Sequence, residues 1–181
     1  HANAGRLPTQ EITLARVCKE HGYRTGHFGK WHLGTLTTSI PDSNRGGPHT
    51  RQLYAPPWLH DFDVCFSTEA KVPTWDPMLA PDEKGADGYR WGEPGSEFGT
   101  YYWNEAAERV TDNLRGDDSR VIVDRADPFI RECVHSQTPF FAVVWFHTPH
   151  TPVVAGADYR AMYSEFSEDE QHYYGCVTAM D

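Results

Sequence analysis

The chain has no stretch approaching the ~20 consecutive apolar residues that a membrane-spanning helix needs. Its longest uncharged apolar run, Phe140 to Phe146, has the length of one buried strand. No C-x-x-C pair occurs, because Cys18, Cys65, Cys133 and Cys176 are scattered, and this argues against a zinc ribbon. Cys18, Cys133 and Cys176 sit among apolar neighbours, as buried thiols do, while spacing leaves disulfide pairing open. Positive charge is scarce: 16 Lys and Arg face 26 Asp and Glu, for a net charge of -10. A nucleic-acid partner needs a basic face, so none is expected. There is no internal repeat, no low-complexity tract and no basic segment leading into an apolar signal core. The sequence opens on His1 and closes on Met180-Asp181, and the expectation is an internal segment of a longer chain.

What is present is a pattern of helices alternating with short apolar runs. Residues 13 to 21 read as a helix that Thr13 caps and Gly22 ends, with Leu14, Val17 and Cys18 on one face. Tyr23 to Phe28 reads as a strand. Asp117-Asp118-Ser119 is a helix start, and Ile122, Phe129, Ile130 and Cys133 follow near helical spacing. Pro128 predicts a kink or a late start there. Phe140 to Phe146 is apolar without alternation, which predicts a strand covered on both faces, as in a parallel sheet. The fold class is therefore α/β, a mainly parallel sheet flanked by helices.

Residues 35 to 118 differ. They are rich in Pro, Gly, Asp and Trp, and only Phe62, Val64 and Phe66 alternate like a half-buried strand. So long an irregular stretch predicts a rim or lid. Trp58, Trp75, Trp91 and Trp103 fall in it, with Tyr54, Tyr89, Tyr101 and Tyr102. Such rings either stack on sugars or pack the loop onto the domain, and packing is the expectation for most of them.

Two turns carry the chemistry. Gly29-Lys30-Trp31-His32-Leu33-Gly34 follows the first strand, and His147-Thr148-Pro149-His150-Thr151-Pro152 follows the apolar run. Ligands in α/β folds gather beyond the carboxyl ends of strands. Lys30 offers a compact cation with three donors, and His32 can give or take a proton near neutral pH. Trp31 is expected in the core, which turns its two neighbours outward. His150 stands between prolines that stiffen its turn. From Lys19 to His32 the chain carries Lys19, Arg24, Lys30, His21, His27 and His32 against Glu20 alone, either a positive island for an anion or chance clustering on a solvated surface. His147 is left as a substrate contact, an orienting residue or a buried residue.

Tyr23-Arg24-Thr25 followed by Gly29-Lys30-Trp31-His32-Leu33-Gly34 resembles the second signature of the type I sulfatases, in the alkaline-phosphatase superfamily. Glu11-Ile12-Thr13-Leu14-Ala15 resembles that family's preceding helix. Pro139 through His150 and Pro152 resembles its later strand and histidine turn, and Tyr173-Tyr174-Gly175 through Met180-Asp181 the helix beyond. The resemblance covers nearly the whole chain in patches and is thinnest from 35 to 118. It implies a partial catalytic domain over 1–181: helix, strand and turn over 1–34, an irregular rim over 35–118, and helix, strand and histidine turn over 119–181.

The resemblance further implies sulfuric ester hydrolysis. A formylglycine, made from the Cys or Ser of a C/S-x-P-x-R motif, attacks sulfur as its hydrate, and a calcium ion polarises the sulfate oxygens. By the same resemblance Lys30 binds those oxygens, His32 is the base that collapses the covalent sulfate, and His150 protonates the leaving oxygen. His147, Trp75 and Arg90 are the candidate substrate contacts. The implied substrate is a sulfated small molecule or carbohydrate, and the implied parent is periplasmic or secreted. No Cys or Ser here stands in the nucleophile motif, Ser39 to Arg45 included, so nucleophile and calcium ligands are expected outside this segment, which holds no metal site of its own. Alternatives are a phosphate or phosphonate ester hydrolase of the same superfamily, a non-catalytic sulfated-glycan binder, or a histidine-rich metal protein.

Overall fold

The computed structural model, which describes residues 5–82 and 91–181, carries the expected helix and strand on either side of Gly22. Helix α1 (Leu14–Glu20) starts at Thr13, whose Oγ1 accepts from the Arg16 amide at 3.1 Å. Its packing face is not the one expected. Leu14 is 62% exposed and Val17 39%, and the buried contact is Ala15. The cause is polar: Arg16 pairs with Asp61 at 2.9 Å and Lys19 with Asp63, which turns the charged edge of the helix inward.

Strand β1 (Arg24–Lys30) starts one residue later than expected and runs two residues further, so that it includes Lys30. It pairs in parallel with β2 (Val64–Thr68) and with β4 (Phe140–Trp145), while β3 (Tyr102–Trp103) is antiparallel to β2, giving the order β3-β2-β1-β4. The α/β class and the mainly parallel sheet are as the sequence predicts. Val64 and Phe66 fall in β2, but Phe62 precedes it, and Cys65 to Thr68 are buried rather than alternating; Phe66 stacks on Tyr102 with ring centroids 3.9 Å apart. Strand β4 departs from expectation. It lies at the sheet edge among the described residues and is only half-buried, with Trp145 45% exposed.

These strands belong to a unit formed by His1–Ala70, Thr100–Val110 and Asp124–Trp145; a second unit comprises Lys71–Gly99, Thr111–Val123 and Phe146–Asp181. Helix α2 (Asp118–His135) begins where expected, with Asp117 Oδ1 accepting from the Arg120 amide at 2.9 Å. It buries Ile122, Phe129 and Cys133, and it runs on through the exposed Pro128 without the late start expected. The second unit packs Val153, Ala155 and Cys176 with Tyr159 and Val177, from α3 (Ala157–Ala161) and α4 (Glu168–Met180). Ser167 and Glu170 form a capping box at the start of α4. Among the described residues no helix is long and apolar enough to cross a membrane.

All four cysteines are free thiols, and burial pushes Cys176 up to about 12 and Cys65 higher still. Tyr102 and Trp103 are buried and Trp58 packs against the core, so these rings hold irregular chain to the sheet. Trp75 and Trp91 are half-buried, and Tyr89 lies outside the described residues.

The positive cluster from Lys19 to His32 is largely dismantled by partners. Lys19 pairs with Asp63 and Arg24 with Glu132 at 2.8 Å. His27 is fully buried, edge-on to Trp31, Phe62 and Trp145, and burial pushes it down to about 3, so it is neutral.

Asp42 is the opposite case. It accepts from Trp103 Nε1 at 2.7 Å and from the Tyr101 amide at 3.2 Å, yet burial pushes its carboxyl up to about 7. A folded value above the ordinary 3.8 means the folded state holds the proton longer than the unfolded chain. The stability this provides is complete below about pH 4 and is lost as pH rises through about 7. Asp42→Asn should therefore remove a decline of about 2–3 kcal/mol between pH 5 and pH 7. Urea midpoints at the two pH values check this, and equal slopes in variant and parent would refute it.

Candidate active site

The Gly29–Gly34 turn is built by extending a ladder. The Trp31 amide donates to Thr68 O at 2.9 Å, the last bond of the ladder with β2, and the His32 amide donates to Glu69 O at 3.0 Å, so the chain stays tied to this edge for two residues past the strand. Alternation along that extension puts Trp31 inside and Lys30 and His32 on the other face. Trp31 is 3% exposed, as expected, and its Nε1 donates to Ala55 O at 2.7 Å. His32 takes the left-handed region at φ 51, which bends the chain away from the sheet. Gly34 follows at φ 151, where an added Cβ would stand 2.7 Å from Ala55 Cβ, so only glycine closes the turn. Thr35 N then donates to Leu53 O at 2.8 Å, pinning the far side. Lys30 is half-buried and His32 exposed.

One carboxylate at this site was not foreseen. The Glu69 side chain is fully buried and its Oε1 accepts from Arg45 Nε at 2.5 Å. Burial raises its pKa, against the opposing pull of Arg45, Ser43 and the Lys30 ammonium. Glu69 thus serves the turn twice, by its carbonyl on His32 and by its charge beside Lys30. The available signal was an acid placed directly after an apolar strand.

In the second unit the histidine turn begins two residues after β4. His147 is 1% exposed and its Nδ1 lies 2.7 Å from Asp118 Oδ2, with both side chains fully buried. The ring is therefore buried and held by the start of α2. Ser119 Oγ is 3.3 Å from Thr148 Oγ1, so the start of α2 grips the turn twice. Thr74 supports the chain beyond: its Oγ1 donates to Val154 O at 2.6 Å, and its amide donates to Pro152 O at 3.1 Å. His150 is exposed, and its Nδ1 donates to Thr151 O at 2.7 Å. A proton on Nδ1 leaves Nε2 as the atom that can gain or release one.

Of the other sequence candidates, Trp75 lines a cavity of the second unit and Arg90 lies outside the described residues. Among the described residues no group of three or more His, Cys, Asp or Glu could hold a metal ion.

The protein-family profile described as Sulfatase matches residues 1–181, and the chain belongs to the sulfatase family. It is 27% identical to the ulvan-active sulfatase of Formosa agariphila, over 97% of this chain and 30% of that protein. The chain thus spans about 30% of the length of the curated relatives it matches along most of its own length. In fold it is similar to Ps i-CgsB, solved in complex with k-i-k-neocarrahexaose (TM-score 0.64, 21% identity, 97% of this chain and 35% of that one). It is also similar to BT4656, solved with its substrate D-glucosamine-2-N,6-O-disulfate (TM-score 0.51, 18% identity, 90% of this chain and 24% of that one).

The His147–Asp118 pair is the most deeply buried polar contact of the site. Asp118→Ala leaves an imidazole N–H buried without its acceptor and should cost about 2–4 kcal/mol. Asp118→Asn, which keeps an acceptor oxygen, should cost less than half as much. Thermal unfolding of the two variants checks the order, and equal losses would show that the hydrogen bond does not organise the turn.

Proposed function

We propose that the intact protein hydrolyses sulfate esters of a carbohydrate, and that residues 1–181 are part of its catalytic domain. The observation that carries this reading is the Gly29–Gly34 turn, pinned on both sides so that Lys30 and His32 project from a fixed backbone, in a chain of the sulfatase family. The carbohydrate part rests on what similar proteins are named for, an ulvan-active sulfatase and structures holding a neocarrahexaose and a glucosamine disulfate.

In this reading Lys30, His32 and His150 are the catalytic side chains. The Lys30 ammonium binds the sulfate oxygens and balances their charge in a half-buried setting, where the attraction exceeds its value in water. Breaking the S–O bond leaves charge on the departing alcohol oxygen, and His150 delivers a proton to it from Nε2. His32 accepts a proton in the opposite step. Asp118 holds His147 at the root of the turn and so steadies His150, while His147, Trp75 and Arg90 are the proposed substrate contacts.

Members of the family generally use formylglycine and calcium. The residues here supply neither a C/S-x-P-x-R motif nor, among those described, a metal-ligand cluster. Both groups would come from chain outside these 181 residues, and no step is assigned to them here.

Two outcomes follow. In the intact protein, Lys30→Ala, His32→Ala and His150→Ala should each lower kcat/KM for 4-nitrophenyl sulfate by about 10²–10⁴-fold with unchanged circular dichroism. Activity kept within about threefold, or a preference for 4-nitrophenyl phosphate, would reject the assignment. The 181-residue chain by itself should release no sulfate from the same compound, as read by ion chromatography, and measurable turnover would show that it holds a nucleophile of its own.

A further inference from the structure

The second unit contains a cavity of about 230 Å³ that none of the three catalytic side chains lines. Its walls include Trp75, Asp76, Asp82, Arg115, Arg160 and Val154. The volume is below the roughly 300–1,000 Å³ of sites for drug-sized ligands, which leaves room for one ring.

The placement of Trp75 is specific. A Cβ on Gly156 would stand 2.3 Å from the end of the indole, so the ring lies directly on the glycine backbone. Gly156 has φ -61, a conformation any residue adopts, so the backbone does not demand glycine there; the indole does. Asp76 is equally fixed: its Oδ1 accepts from the Gly116 amide at 2.7 Å, and its Oδ2 lies 3.6 Å from Arg115 Nη1. Arg115, 75% exposed, also lines the cavity.

Charge decides the ligand class. Two carboxylates and two guanidiniums sum to zero, so the walls offer a sulfate or carboxylate no net attraction. They do offer acceptors, donors and an aromatic face together, which matches a ring bearing several hydroxyls. The cavity is also near the histidine turn in chain terms. Val154 is four residues from His150, so their Cα atoms lie within about 14 Å of each other. That is the reach of an oligosaccharide.

We propose that this cavity binds one unsulfated pyranose ring of the carbohydrate, with Trp75 against the ring face, Asp76 and Asp82 accepting from hydroxyls, and Arg115 donating. The inference rests on the carbohydrate reading above and adds the site that selects a chain of sugars over a lone sulfate ester.

The test is saturation-transfer NMR on the intact protein with the methyl pyranosides of glucose, galactose, xylose and mannose. At least one should receive saturation from the protein. Arg115→Gln and Asp82→Asn, which alter exposed side chains, should each raise its Kd about tenfold. Gly156→Val, which drives the indole off its seat, should abolish the signal. No saturation in any pyranoside, unchanged Kd in all three variants, or displacement of the sugar by sodium sulfate alone would overturn the proposal. Hydrolysis of 4-nitrophenyl sulfate by the unaltered protein is scored separately. Binding without hydrolysis upholds the cavity and sinks the sulfatase reading; hydrolysis without binding does the reverse.

Discussion

The arrangement at the end of β1 depends on two backbone hydrogen bonds, from Trp31 to Thr68 and from His32 to Glu69. A turn ordinarily leaves such groups to water. Here the carbonyls of Thr68 and Glu69 accept them, so the chain is held at the end of β2 through His32. The buried indole of Trp31 then makes rotation of the segment costly, since it would expose a large apolar surface and orphan the Nε1 donor. Lys30 and His32 are fixed by residues that carry no chemistry themselves. Glu69 joins the two scales, because one residue supplies both a ladder carbonyl and a buried charge.

The second unit reaches a similar result by other means. No strand continues through the histidine turn. The start of α2 and the loop residue Thr74 hold it instead, through Asp118 on His147, Ser119 near Thr148, and Thr74 on Pro152 and Val154. A turn rich in proline has few amides to donate, so side-chain hydroxyls and a carboxylate take over the work of a ladder.

Much of this was legible in the sequence. The helix at Thr13, the strand before Gly29, the buried Trp31 and the start of α2 follow from caps, spacing and apolar runs, which are local signals. The misses are long-range. Leu14 and Val17 suggested the wrong face of α1, because Asp61 and Asp63, far along the chain, draw Arg16 and Lys19 inward. His27 looked like part of a cationic surface, and only the rings around it show that it is neutral. Thr74 has no local pattern that sets it apart, and the signal for Glu69, an acid directly after an apolar strand, does not reveal its partner Arg45. Asp118 was seen as a helix start, yet its partner lies beyond the next strand.

Strand β4 carries a practical consequence. It presents Phe140-Phe141-Ala142-Val143-Val144-Trp145 at the edge of the sheet, half-covered, with no proline and no charge along its length. Unpaired amides and carbonyls beside so apolar a run form a template onto which another extended chain can add. Preparations of these 181 residues should therefore be watched for strand-to-strand self-association, and a lysine on the outer side of β4 is the substitution most suited to suppress it.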